Sequence, residues 1–256
     1  MGRHVPQKRS TGWLGQHFLK SPRLAHSLVQ QASIESSDLV VEIGAGNGIL
    51  THELARRAAR VVAVEVDPSL AIPLLRRFSY HDKVLIVFGD FFDVPLPGQA
   101  FRIFGNIPFD KTTRLLRYLL DETEVPIRRA DLIVQEGAAI KRTRRWNLLN
   151  LCWAPWWAFT ITRRITSRAF RPSPSVNAAL LAISRKTNPL LPEQDKASFA
   201  RFARTAWPES DVRSAMRHHL PARRLQILSR QCGFSLSASP PDLDVHQWIT
   251  LYRGSS

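Results

Sequence analysis

The sequence predicts an α/β protein: a largely parallel sheet covered by helices on both faces, followed by a small all-helical domain. Three observations carry this. Between Leu39 and about Arg145, short runs that are apolar throughout alternate with amphipathic helical segments, as expected of strands buried on both sides by crossover helices. Two more strand-like runs follow. After about Lys186 only helical periodicity remains.

In order, the strands are "LVVEIG", "RVVAVEV", "VLIVFG", "FRIFG" and "ADLIVQE". The helical segments among them are "ILTHELARRA", "PSLAIPLLRRF" and "TTRLLRYLLDE". The two later strands, "AFTITRRI" and "VNAALLAISR", are joined by "TSRAFRPSPS", whose Pro and Ser mark a loop. "NPLLPEQD" reads as a linker. Four helical patterns follow it, near Lys196 to Thr205, Ser210 to Arg217, Pro221 to Cys232 and Leu243 to Tyr252. The expected organisation is a basic arm over 1–16, a catalytic α/β domain over 17–186 and a helical domain over 187–256.

Charge narrows the partner. Lys+Arg 36 against Asp+Glu 21 leaves a formal net charge of +15 in 256 residues, which favours a polyanion. A membrane is the weaker candidate: no run reaches the roughly 18 apolar residues of a spanning helix, and "LLNLCWAPWWAFTI" is broken by Asn150 and Pro155. The basic N-terminus has no h-region after it. Cys152 and Cys232 form no CxxC pair, so free thiols and a cytoplasmic location are expected, with no metal site.

The chemistry gathers at successive strand ends. The first strand runs into "VEIGAGNG", where Gly44, Gly46 and Gly48 are spaced G-x-G-x-G rather than in the dinucleotide G-x-G-x-x-G. The second ends in Glu65, placed to meet ribose hydroxyls, and the third in "GDFFD", which brings Asp90 to the same edge. Singly, such acids read as caps; Asp67 before Pro68 has the pattern of a helix N-cap. In register they suit a nucleoside without a phosphate chain, since no Walker-type Lys follows the glycines. S-adenosylmethionine fits: ribose on Glu65, adenine near Asp90, the methionine end over Gly44 and Gly46.

The fourth strand delivers "FGNIPFDKTT" to that edge. An exocyclic amine on a nucleobase is a poor nucleophile until its hydrogens are held out of the ring plane. The Asn106 side-chain oxygen and the Pro108 carbonyl are two fixed acceptors for that task, and Phe109 offers a face for the base. Asp110 to Thr113 read as a helix cap alone.

With "GQHFLKSPRLAHSLV", "VEIGAGNGILTHEL", "VVAVEVDPSL", "GDFFD", "FGNIPFDKTT" and "FRPSPSVNAALL" in this order, the chain resembles the ribosomal RNA adenine-N6 methyltransferases from about residue 12 to 183. Ile107 and Phe109 lean toward the erythromycin-resistance (Erm) methylases, because the small-subunit dimethyltransferases more usually have Leu and Tyr there. The resemblance implies a Rossmann-like class I methyltransferase fold with a seven-stranded, mostly parallel sheet. It also implies methylation of one adenine in the peptidyl-transferase loop of 23S rRNA, blocking macrolides, lincosamides and streptogramin B. The expected partner is 23S rRNA before full ribosome assembly, met by a monomer.

Carried over by position, the resemblance implies that Gln16, His17 and Leu19 line the methionine end, His17 standing where many relatives have Asn. Gly44, Gly46, Glu65, Val66, Asp90, Phe91 and Asn106 take the cofactor contacts, and Phe170 closes on the adenine face opposite Phe109. Relatives often have Lys where Ser173 or Ser175 stands, which leaves a phosphate contact there open. Candidate RNA contacts are Arg3, Lys8, Arg9, Lys141, Arg142, Arg144, Arg145, Arg163, Arg164, Arg168 and Arg171, with Arg213, Arg217, Arg223 and Arg224 in the helical region. The tryptophans of "CWAPWWAF" read as buried packing, and Trp146 as an exposed aromatic. Two alternatives stay open at this level: a 16S rRNA dimethyltransferase, and a nucleic-acid-binding relative without activity.

Overall fold

A computed structural model of the chain describes residues 16–121, 126–143 and 147–255. Arg3, Lys8, Arg9, Arg144, Arg145 and Trp146 lie outside them. The elements in chain order are β1 (Phe18–Leu19), α1 (Pro22–Gln31), β2 (Leu39–Ile43), α2 (Ile49–Ala55), β3 (Arg60–Glu65), α3 (Pro68–Phe78), β4 (Val84–Phe88), β5 (Phe101–Asn106), α4 (Thr112–Leu120) and β6 (Ile127–Gln135). They continue with α5 (Glu136–Thr143), α6 (Leu148–Trp153), β7 (Trp157–Ile165), β8 (Phe170–Arg171), β9 (Ala178–Arg185), α7 (Lys196–Ala206), α8 (Val212–Met216), α9 (Ala222–Cys232) and α10 (Val245–Ser255).

Seven strands form the main sheet in the order β4-β3-β2-β5-β6-β9-β7. The five strands from β4 to β6 are parallel, and β9 runs antiparallel to both β6 and β7. The sheet is thus the mostly parallel, Rossmann-like one the sequence predicts, with strand order reversing between β2 and β5. That reversal opens a crevice at the carboxyl ends of the strands. β1 and β8 pair apart from it, with Phe18 opposite Arg171 and Leu19 opposite Phe170.

Each face of the sheet has its own core, because successive side chains point to opposite sides. Val40 and Phe104 pack with α1, α2 and α3, whereas Val41, Ile103, Leu132 and Val134 pack with α4 and α6. That second core continues into the C-terminal helices through Leu191, Phe199 and Trp248, with Trp156 meeting Phe199 edge to face at 6.1 Å. Trp153, Trp156 and Trp157 are buried, as their lead into a strand predicts. The helices after Lys186 are therefore built onto the sheet's own apolar layer. Both cysteines are free, and burial pushes the Cys152 thiol up to about 11. Among the described residues no helix is long and apolar enough to cross a membrane.

At the amino edge, opposite the crevice, a charged cluster ties α1 to the sheet. Arg102 donates from Nη1 to the Ser33 carbonyl at 2.8 Å and to Asp38 at 2.9 Å, and from Nη2 to the Ala32 carbonyl and to Asp131 at 3.4 Å. Arg129 holds Asp131 with two further bonds of 2.7 and 2.8 Å. Burial raises the Asp131 carboxyl above its usual value even against both arginines. Removing one member of such a cluster strands the others, at a cost of about 3–5 kcal/mol. Arg102→Met is expected to lower unfolding stability by about 3 kcal/mol in urea titrations, since Asp38 loses its cation and Ala32 and Ser33 their donor.

Candidate active site

The crevice edge is built from strand ends that parallel register sets side by side. Ile43 pairs with Val64 and with Gly105, and Asn106 with Ile133. After β2 the chain turns through Gly44, Gly46 and Gly48, all at positive φ (73°, 57° and 75°), a region glycine enters without a Cβ penalty. Each glycine has its own task. Gly44 is the exposed one, open toward the cleft. Gly46 lies under the Phe18 ring, whose nearest carbon is 3.0 Å from where a Cβ would stand. Gly48 starts α2 with a Cβ position 2.7 Å from Leu74 of α3. The third glycine thus serves helix packing although the spacing departs from the dinucleotide fingerprint.

Glu65 closes the loop from the side. Its Oε2 accepts from the Gly46 N–H at 2.7 Å and its Oε1 from the Asp67 N–H at 2.9 Å. Each oxygen keeps a second lone pair, so the carboxylate remains an acceptor for a ribose diol. Asp67 caps α3 through Ser69 N at 2.8 Å, as its place before Pro68 predicts. Asp90 is both cap and wall: Oδ1 accepts from Phe92 N at 3.1 Å, while the residue lines the cleft.

Beneath the glycine loop lies Glu42, fully buried. Desolvation, with the charge of Glu65 adding to it, raises its carboxyl to about 8, and nearby Thr51 offsets only part. Neither Glu42 oxygen has a well-formed hydrogen bond. Glu42 is thus largely neutral at pH 7, whereas Glu65, at the end of the adjacent strand β3, has hydrogen-bond donors on both oxygens.

β5 ends in Asn106, and the Ile107 N–H still bonds to the Ile133 carbonyl at 3.0 Å before Pro108 stops the pairing. Gly105 makes this close approach possible: a Cβ there would fall 2.7 Å from the Ile43 carbonyl oxygen. Asn106 Nδ2 donates to the His17 carbonyl at 2.6 Å. A carbonyl can only accept, so the amide is turned with Oδ1 as its free acceptor. The Pro108 carbonyl already accepts from Lys111 N at 2.9 Å, leaving one lone pair. His17 Nδ1 is 2.8 Å from the Pro172 carbonyl, and its ring packs against Phe109 at 5.8 Å between centroids.

These groups line one cleft of about 320 Å³, with Gln16, His17, Phe18, Gly44, Glu65, Val66, Asp90, Phe91, Asn106, Pro108 and Phe109 in its walls. Phe18 was not singled out in the sequence; in a short strand it turns opposite to Leu19, toward Gly46. Asp110, Lys111 and Arg114 also line the cleft, and the N-cap of α4, Lys111, makes no side-chain capping bond. The reading of Asp110 to Thr113 as a cap alone is thereby corrected.

Several expected site residues lie elsewhere. Phe170 is 1% exposed, pairs with Leu19 and packs in the core, so it offers no face to a base. Leu19 is buried in that same core and Gly46 lies behind Phe18, so neither reaches the cleft wall. Arg142 is buried, donates to Asn150 at 2.9 Å and lies over Trp153 at 5.4 Å; burial, then the charge of Arg117, lowers its pKa. It braces α5 against α6 and is unavailable to RNA. Arg163 donates to Ser27 at 2.6 Å, Arg164 is exposed and pairs with Glu136 at 3.0 Å, and Lys141, Arg168 and Arg171 are also exposed.

A model of the family described as ribosomal RNA adenine dimethylase matches residues 8–252. The chain belongs to this family. It is 32% identical to an rRNA methyltransferase of Streptomyces thermotolerans, over 93% of this chain and 81% of that one. It is 31% identical to the mycinamicin-resistance protein MyrB of Micromonospora griseorubida, over 94% and 77%. The crystal structure of the 23S rRNA methyltransferase ErmE superposes with a TM-score of 0.83 at 26% identity, covering 92% of this chain and 98% of that one. As a member, the protein is an rRNA adenine N6-methyltransferase with the Rossmann-like methyltransferase fold, using S-adenosylmethionine. The cleft fits that cofactor by its donor set: Glu65 and Asp90 supply acceptors to a cationic nucleoside, and Gly44 leaves room beside them.

Two outcomes test this geometry. Gly105→Ala is expected to destabilise the protein by several kcal/mol on the order of a core overpacking change, read as lost soluble yield or lowered Tm, because the Ile43 carbonyl cannot yield without breaking strand pairing. For Glu42, the folded state binds more protons than the unfolded one between pH 4.5 and 8, so stability falls as pH rises through that window. Glu42→Gln is expected to remove this fall, gaining on the wild type progressively up to about pH 8 in thermal melts.

Proposed function

We propose that the protein methylates N6 of one adenine in the peptidyl-transferase loop of 23S rRNA and thereby confers resistance to macrolide, lincosamide and streptogramin B antibiotics. It acts as a monomer on 23S rRNA before full ribosome assembly, in the cytoplasm. The observation that carries this reading is the Asn106 amide, pinned by the His17 carbonyl so that Oδ1 stands free beside the Pro108 carbonyl and the Phe109 ring. The naming of ErmE for 23S rRNA and of MyrB for mycinamicin resistance supports the choice of target.

Bound S-adenosylmethionine supplies an electrophilic methyl group on a sulfonium. Everything else falls to the chain. Glu65 holds the ribose, Val66, Asp90 and Phe91 border the adenine of the cofactor, and Gln16, His17 and Gly44 border its methionine end. Asn106 Oδ1 and the remaining Pro108 lone pair accept the two N–H bonds of the target amine, holding its lone pair free of the ring. Phe109 stacks on the extruded base, worth about 1–3 kcal/mol. His17 keeps both partners in place, since its main chain holds Asn106 and its ring leans on Phe109. Exposed Lys141, Arg168 and Arg171 and the helical region over 187–256 supply wider RNA contacts.

23S RNA stripped of ribosomal protein is expected to accept radiolabelled methyl at a single adenine; a primer-extension stop there marks transfer of two methyl groups, since dimethylation blocks base pairing, and read-through marks transfer of one. Asn106→Ala is expected to reduce kcat by about two to three orders of magnitude, and Phe109→Ala to reduce kcat/KM about 10- to 100-fold. Preferential methylation of 16S RNA would refute the target assignment.

A further inference from the structure

The proposed cofactor contacts leave two cations of the cleft wall unused. Lys111, the N-cap of α4, and Arg114, in its first turn, stand three residues apart shortly after Phe109. The Arg114 guanidinium lies 3.9 Å over the ring of Phe92, which itself lines the cleft. Among the described residues no carboxylate pairs with it. The contact with Phe92 holds its plane in place and leaves its N–H donors free. Among the described residues the Lys111 ammonium pairs only with Asp110, at 3.5 Å, with both side chains exposed.

A sulfonium nucleoside is cationic, and Arg114 lies toward Phe92, away from the Gly44 end where the methionine carboxylate is proposed. A positive lip at this point suits an anion belonging to the second substrate. We propose that Arg114, assisted by Lys111, binds the phosphodiester flanking the target adenine, holding that nucleotide's backbone while its base lies on Phe109. Arg114 is the anchor, because its fork suits a phosphate and its position is already set by stacking. This rests on rRNA as the acceptor.

The test uses a hairpin copied from the peptidyl-transferase loop of 23S rRNA, unmodified or with one neutral methylphosphonate on the 5′ or 3′ side of the target adenine. For the wild type, one of the two neutral linkages is expected to weaken binding several-fold in fluorescence anisotropy. R114A is expected to bind all three hairpins alike and to show a slope of log affinity against log salt smaller by about 1. R114K is expected to recover most of that slope, and calorimetry to show S-adenosylmethionine affinity unchanged within about twofold in both variants. The proposal is overturned if R114A keeps the wild-type slope, if the methylphosphonate penalty persists in R114A, or if cofactor affinity falls instead. Wild-type protein that fails to methylate the unmodified hairpin, while its cofactor binding is intact, overturns the 23S reading and this lip with it.

Discussion

In-register parallel pairing of β3, β2, β5 and β6 is the constraint on which the site depends. It places the ends of three neighbouring strands, β3, β2 and β5, within one crevice, so that the Gly44 turn, the Glu65 carboxylate and the Asn106 amide become neighbours although they lie far apart in the chain. The pairing of β2 with β5 is tight enough that only a residue without a Cβ fits at Gly105. Glu65 then bridges the turn after β2 to the turn after β3 through two backbone N–H groups. The Glu65 carboxylate is thus already fixed by main chain and loses little entropy when a ligand arrives.

Charge is partitioned between the two edges of the sheet. The amino edge buries Arg102 with Asp38 and Asp131, an arrangement that anchors α1. At the carboxyl edge, Glu65 is held by backbone donors, Glu42 behind it is kept largely neutral by burial, and Lys111 and Arg114 stay unburied at the lip. Part of the positive charge is spoken for by structure: Arg102 and Arg142 are buried, half-buried Arg129 is held by Asp131, and Arg163 and Arg164 are bound to Ser27 and Glu136. A net charge of +15 therefore overstates the number of cations free for RNA.

Most strands were legible because a strand buried on both faces must be apolar along its whole length, a pattern that survives without knowledge of its neighbours. β6 starts earlier than its apolar run because Arg129 points into the ion cluster and reads as polar. Helix α1 lies before the alternating stretch that begins at Leu39 and was not read, and α5 and α6 were missed because each has only about two turns and takes its stability from packing. Of the expected site residues, Gly44, Glu65, Asp90 and Asn106, at or just after the ends of the longer strands, line the cleft. Those on the two-residue strands β1 and β8 do not: Leu19 and Phe170 pair with each other and turn into the core, and Phe18 takes the wall position.

By itself the sequence determined the sheet, its parallel majority, the glycine turn and the order of strand-end residues, because alternating patterns and turn chemistry act over a few residues. The tertiary structure alone decided which arginines are buried, which aromatic faces the cleft, and how the Asn106 amide is turned. These depend on partners more than a hundred residues apart in some cases, such as Ser27 with Arg163 and His17 with Pro172, that no local pattern brings together.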